Sequence, residues 1–128
     1  MILGLVEEQL QRLREMYPHA EVVERPDGSI LVTVGDLSVS PGWNRQRVTI
    51  HLLLPPGYPT AKPNGFEADH DIALASGQKP SAGYGEHAID GRMYAHFCWQ
   101  PQTPWENNPD ELWKRVKFAL MRFSEVQS

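Results

Sequence analysis

Arg47 to Leu54 is the stretch that most limits the folds open to this chain. Val48, Ile50 and Leu52 alternate with Arg47, Thr49 and His51, and Leu53-Leu54 then run apolar. A period of two sends successive side chains to opposite faces, so this segment reads as a strand entering a core. Its neighbours read the same way. Glu21 to Arg25 is a strand, Pro26-Asp27-Gly28 a turn, and Ser29 to Val34 a second strand rich in β-branched residues. Gly35-Asp36 reads as a bulge or bend, with Leu37 to Val39 continuing, and Pro41-Gly42-Trp43-Asn44 is the next turn. A proline-rich bend, Pro55-Pro56-Gly57-Tyr58-Pro59, leads to a short fourth strand at Gly65 to Ala68. Connections this short join antiparallel neighbours, because a parallel pair needs a crossover of a dozen residues or more.

Helices flank this meander. Leu3, Val6, Leu10, Leu13 and Met16 recur at three- and four-residue steps and predict a helix over residues 3–16, with Glu7, Glu8, Gln11, Arg12 and Glu15 outside. Glu8 and Arg12 are spaced to pair, and Pro18 ends the segment. Near the other end Asn108 reads as an N-cap with Pro109 at the first helical position. Leu112, Val116, Ala119, Leu120 and Phe123 form the apolar face of that helix, and Lys114, Arg115, Lys117 and Arg122 are expected on the other side. Residues 75–85 are a loop by composition, and Met93 to Phe97 is a short extended stretch. The expected architecture is α+β: an N-terminal helix, a four-stranded antiparallel meander, a long loop and a C-terminal helix, in one domain over residues 1–128 with both helices on one face of the sheet.

Composition excludes several classes. A net charge of -4 and a pI near 5.7 argue against phosphate-backbone binding, so no nucleic acid partner is expected. No apolar run approaches the roughly 18–20 residues of a membrane span. The start, Met1 to Val6 followed by Glu7-Glu8, lacks the basic region of a signal peptide. The single cysteine forms no internal disulfide, and a cytoplasmic location is the expectation. Five histidines (19, 51, 70, 87, 96) show no zinc-motif spacing with it, so neither metal nor cofactor is expected. His87, His96 and Cys98 form a site only if folding happens to unite them.

That cysteine, Cys98, has an unusual setting. It lies in His96-Phe97-Cys98-Trp99-Gln100-Pro101, with Trp105 seven residues on and a helix after that. Upstream stand Tyr58-Pro59 and Pro63, after the third strand. This order resembles the ubiquitin-conjugating enzyme superfamily over most of the chain, and its divergent prokaryotic branch in particular. The resemblance implies a thioester carrier with Cys98 as nucleophile, a ubiquitin-like protein and a ThiF-like activating enzyme as partners, and a JAB-type peptidase in the same gene cluster. Several such bacterial clusters are implicated in antiviral defence. Tyr58, Pro59, Pro63, Trp99 and Trp105 would then be supporting residues.

The chain departs from the superfamily pattern in three ways. Glu86-His87-Ala88-Ile89-Asp90 stands where His-Pro-Asn is usual, and an ionised Asp90 cannot donate the hydrogen bond that Asn supplies. The interval from Tyr58 to Cys98 is longer than in the familiar members, and one helix follows the cysteine where eukaryotic members usually continue through two more. Sulfur suits acyl relay because it both attacks and leaves well. His96, two residues from Cys98, is the candidate base. His87, Gln100, Asn107 and backbone amides near Cys98 are the candidate oxyanion donors. Two rival readings use the same residues: a non-catalytic variant or RWD-type module that binds a ubiquitin-like partner or scaffolds a complex, and a cysteine hydrolase pairing Cys98 with His87 or His96.

Overall fold

The computed structural model describes residues 4–63, 65–79, 84–97 and 105–124. Helix α1 spans Leu5–Met16, followed by β1 (Glu21–Glu24), β2 (Ile30–Ser38), β3 (Arg47–Leu54) and β4 (Phe66–Ala68). A hairpin of β5 (Tyr84–Ile89) and β6 (Arg92–Phe97) comes next, then α2 (Glu111–Met121) and a closing 3-10 turn at Arg122–Ser124. The strands form one antiparallel sheet in the order β1-β2-β3-β4-β6-β5.

The α+β class and the first four strands follow the sequence reading, and the strand count does not. Among the described residues the sheet has six strands, because the Tyr84 to Phe97 region is a hairpin rather than a loop with one extended stretch. Asp90 and Gly91, at φ 51 and 78, form its two-residue turn, the backbone geometry that matches the twist of paired strands. The β5 strand hides itself in the sequence because it lies at the sheet edge, where only Ile89 is buried. The expected bulge is present: the β2–β3 register shifts between Val34 and Leu37, with Asp36 at φ 60.

One face of the sheet carries the core. Val32, Val34, Val48, Ile50, Leu52, Leu54, Phe66, Ala68, Ala95 and Phe97 face Val6, Leu10 and Leu13 of α1 and Leu112, Val116 and Ala119 of α2. Three expectations at helix faces need correction. Met16 is half exposed, and the buried place on α1 goes to Gln9, three residues from Val6 and four from Leu13. Arg115 and Arg122 are buried rather than solvated. Arg115 pairs with Glu111 at 2.5 Å and lies 4.6 Å over the Trp105 ring, while the Arg122 guanidinium sits 5.5 Å from the Trp43 ring and 5.4 Å from that of Phe97. Finally, Asn108 is not the N-cap. Its Oδ1 accepts from the Asp110 amide at 3.0 Å, a local turn that delays α2 until Glu111. The Asp110 carboxylate is held by Trp113 and Arg12, each at 2.9 Å, and these hydrogen bonds and charges lower its pKa. Among the described residues no helix is long and apolar enough to cross a membrane.

Candidate functional site

Strand alternation that buries Phe66, Ala68, Ala95 and Phe97 on the helix side must turn Glu67, Tyr94 and His96 to the other face. Register then builds a row across five strands: Thr33 pairs with His51, His51 with Glu67, Glu67 with His96, and His96 with Gly85. Glu67 stands near the middle of this row and is only 3% exposed. A buried carboxylate needs partners, and two imidazoles supply them. His96 Nδ1 lies 2.9 Å from Glu67 Oε2, and His87 Nδ1 lies 3.3 Å from Oε1. With an N–H at Nδ1 directed to the carboxylate, each neutral ring keeps the lone pair of its Nε2 free. The two rings meet edge to face at 5.7 Å.

The rest of the row supports this group. His51 Nδ1 is 2.9 Å from the Thr33 hydroxyl, and its ring packs edge-on against Tyr94 at 4.8 Å. Burial holds the His51 pKa below the ordinary histidine value, so this ring stays neutral beside Glu67. A cleft of about 470 Å³ is lined by Glu67, His87 and His96 together with Pro55, Pro56, Lys62 and Pro63.

The sequence-derived site residues therefore fall into separate groups. His87 and His96 come together with Pro63 in the cleft. Tyr58 and Trp105 lie elsewhere, between α1 and α2. The Tyr58 hydroxyl donates to Gln9 Oε1 at 2.7 Å, Gln9 Nε2 donates to the Asn108 carbonyl at 2.9 Å, and the Tyr58 and Trp105 rings meet edge-on at 5.8 Å. Burial pushes the Tyr58 phenol up to about 12. Pro59 belongs to the same turn, and the Lys62 ammonium donates both to its carbonyl and to Asn107 Oδ1. Tyr58→Phe would leave the fully buried Gln9 oxygen without its donor. A loss of about 1–3 kcal/mol is expected in chemical denaturation, and a change within error would mean that the bond contributes nothing. Cys98, Trp99 and Gln100 lie outside the described residues.

Asp90 is the clearest relocation. Glu86 to Ile89 are strand β5, and Asp90 turns the hairpin with its carboxylate on Arg25 at 2.7 and 3.2 Å. That contact lowers the Asp90 pKa. From Arg92 the strand runs roughly 17 Å before the chain reaches Cys98. Asp90 thus stands at the wrong end of β6 to replace an asparagine beside the cysteine, whereas His87 stands beside His96.

The family profile of prokaryotic E2 family E matches residues 5–123. The chain belongs to this family. The match takes in α1, all six strands and α2, so both the cleft and the helix-side turn are inside it. Membership brings a general role in ubiquitin-like conjugation, with a ubiquitin-like protein and an activating enzyme as the partners such a role requires. No curated protein and no solved structure gives a significant match.

Glu67 is the site residue that the sequence reading missed. Its signal was a lone carboxylate inside a short strand flanked by Phe66 and Ala68. A charge between two core positions on a central strand needs a partner, though only the register identifies it.

Proposed function

We propose that this member of prokaryotic E2 family E carries a ubiquitin-like protein as a thioester on Cys98. It takes the acyl group from a ThiF-like activating enzyme and passes it to an acceptor. The Cys98 thiolate attacks the carbonyl of the incoming thioester, a new C–S bond forms, and the activating enzyme's sulfur leaves as a thiol after taking up a proton. In the second step the acceptor attacks the same carbonyl, and Cys98 departs as the thiolate. A JAB-type peptidase belongs to the same system, with a role in defence against viruses, and the reducing cytoplasm keeps the thiol free.

One observation carries the reading. The family match spans a chain whose only cysteine directly follows the strand bearing His96. Two covalent steps place the Cys98 Cα within about 7 Å of the His96 Cα. With its Nδ1 anchored on Glu67, His96 offers Nε2 to a proton released during transfer. His87, when it carries a proton on Nε2 as well as on Nδ1, is the nearby donor for a developing oxyanion.

The test combines the chain with ATP, its activating enzyme and its ubiquitin-like protein, resolved without reducing agent. An adduct that reducing agent cleaves is expected. Absence of any adduct with true partners would leave a binding module without transfer chemistry. His96→Ala is expected to slow transfer by roughly 100- to 10,000-fold while the far-ultraviolet dichroism stays unchanged. A rate equal to the parent's would remove His96 from the mechanism.

A further inference from the structure

The geometry points to a site for a zinc-type divalent cation built from Glu67, His87 and His96. One donor atom from each of these residues lies within 4.8 Å of the others. Tetrahedral zinc with ligands at about 2.0–2.1 Å separates neighbouring donors by about 3.3 Å. Each imidazole already lies near that spacing from the carboxylate, through a different oxygen: His96 Nδ1 is 2.9 Å from Glu67 Oε2 and His87 Nδ1 is 3.3 Å from Glu67 Oε1. Turning the His87 ring, whose side chain is 45% exposed and stands on an edge strand, brings its donor in toward the oxygen that faces His96.

The parts of the site have different freedoms. Glu67 is fixed, because β4 is paired on both sides and its carboxylate is buried. His96 is mostly covered and held in the next strand, while the more exposed His87 has room to turn and complete the set. Two imidazoles and one carboxylate suit zinc and its first-row neighbours, whereas magnesium and calcium favour all-oxygen shells. The fourth position faces the cleft. Gly85, the register partner of His96, adds no side chain beside it. A doubly charged ion against one carboxylate keeps a net positive charge, so the open position favours a water that ionises or an anionic ligand atom.

This site shares His87 and His96 with the carrier reading, but cation uptake and charging of Cys98 are measured separately, so either can fail without the other. If the metal takes His96 Nδ1, the ring proton moves to Nε2, so metal-bound and base-competent His96 are alternative states.

The experiment titrates untagged, chelator-treated full chain with Zn²⁺ by calorimetry and with Co²⁺ by visible absorption. One equivalent is expected to bind, with the intense ligand-field bands of a four-coordinate cobalt site. His87→Ala and Glu67→Gln should each weaken binding by at least the roughly 10- to 100-fold that loss of a merely supporting group costs. Cys98→Ser should retain binding. The proposal is overturned if the parent chain takes up no stoichiometric metal, if both site variants bind as well as the parent, or if only Cys98→Ser abolishes uptake.

Discussion

Cys98→Ala is expected to abolish the adduct with the ubiquitin-like protein altogether, and Cys98→Ser to replace it with one that survives reducing agent. The contrast follows from leaving-group chemistry. A thiolate is a stable anion at modest pH, the free thiol having a pKa near 8.5, so its ester passes readily to an incoming amine or thiol. An alkoxide is a far poorer leaving group, so a serine oxyester forms slowly and then persists, and it is released by base instead. Alanine offers no nucleophile. The chain holds one cysteine, so no second thiol can substitute and the alanine result is free of redundancy. An adduct of unchanged mobility and thiol sensitivity on Cys98→Ala would remove this residue as the acceptor. A parent chain that is never charged, but whose Cys98 alkylates rapidly in the native state, would indicate an accessible thiol with another purpose.

The contrast between what the sequence disclosed and what it concealed is physical. The meander was legible because its pairs are local: β1–β2 and β2–β3 join through short turns punctuated by Pro-Gly signals, and alternation in Arg47 to Leu54 needs no partner to be recognised. The β5–β6 hairpin carried an equally local sign in Asp90-Gly91. Its edge strand, however, buries only Ile89 fully and shows no apolar alternation to flank that sign. Arg115 and Arg122 read as surface charges because periodicity cannot register a guanidinium stacked on a ring. Those rings, Trp105, Trp43 and Phe97, are 10 to 79 positions away or belong to other elements. The site behaves likewise. His87 and His96 were visible as residues that could act, but Glu67 is 20 and 29 positions from them. Only the strand order β3-β4-β6-β5 makes the three adjacent. Histidines without motif spacing can still converge, since register across a sheet acts where spacing along a chain does not.

Phe97→Ala is expected to destabilise the fold by about 3–5 kcal/mol, the range for deleting a buried aromatic ring. Phe97 is fully buried and stacks on Phe66 at 5.1 Å with the ring planes 14° apart. It also meets Phe123 at 5.4 Å and Tyr84 at 5.8 Å, both edge-on. Removing the ring therefore opens a void where β4, β5, β6 and the C-terminal turn converge, and it takes away one of the faces against the Arg122 guanidinium. Because a domain of this size has a total stability of about 5–15 kcal/mol, such a loss leaves it near unfolding. Phe97→Leu keeps most of the volume and should cost less than about 1.5 kcal/mol. Urea denaturation of the three proteins measures both differences, and a loss below about 1 kcal/mol for the alanine variant would show that the aromatic cluster is not where the core is held. The consequence reaches the site through strand geometry. Phe97 points into the core while His96 points to the cleft, and the chain leaves Phe97 directly for Cys98. The aromatic cluster thus fixes the end of β6 from one side while Glu67 fixes His96 from the other. Phe97→Leu should preserve charging of Cys98, and Phe97→Ala should lose it in proportion to the fraction unfolded.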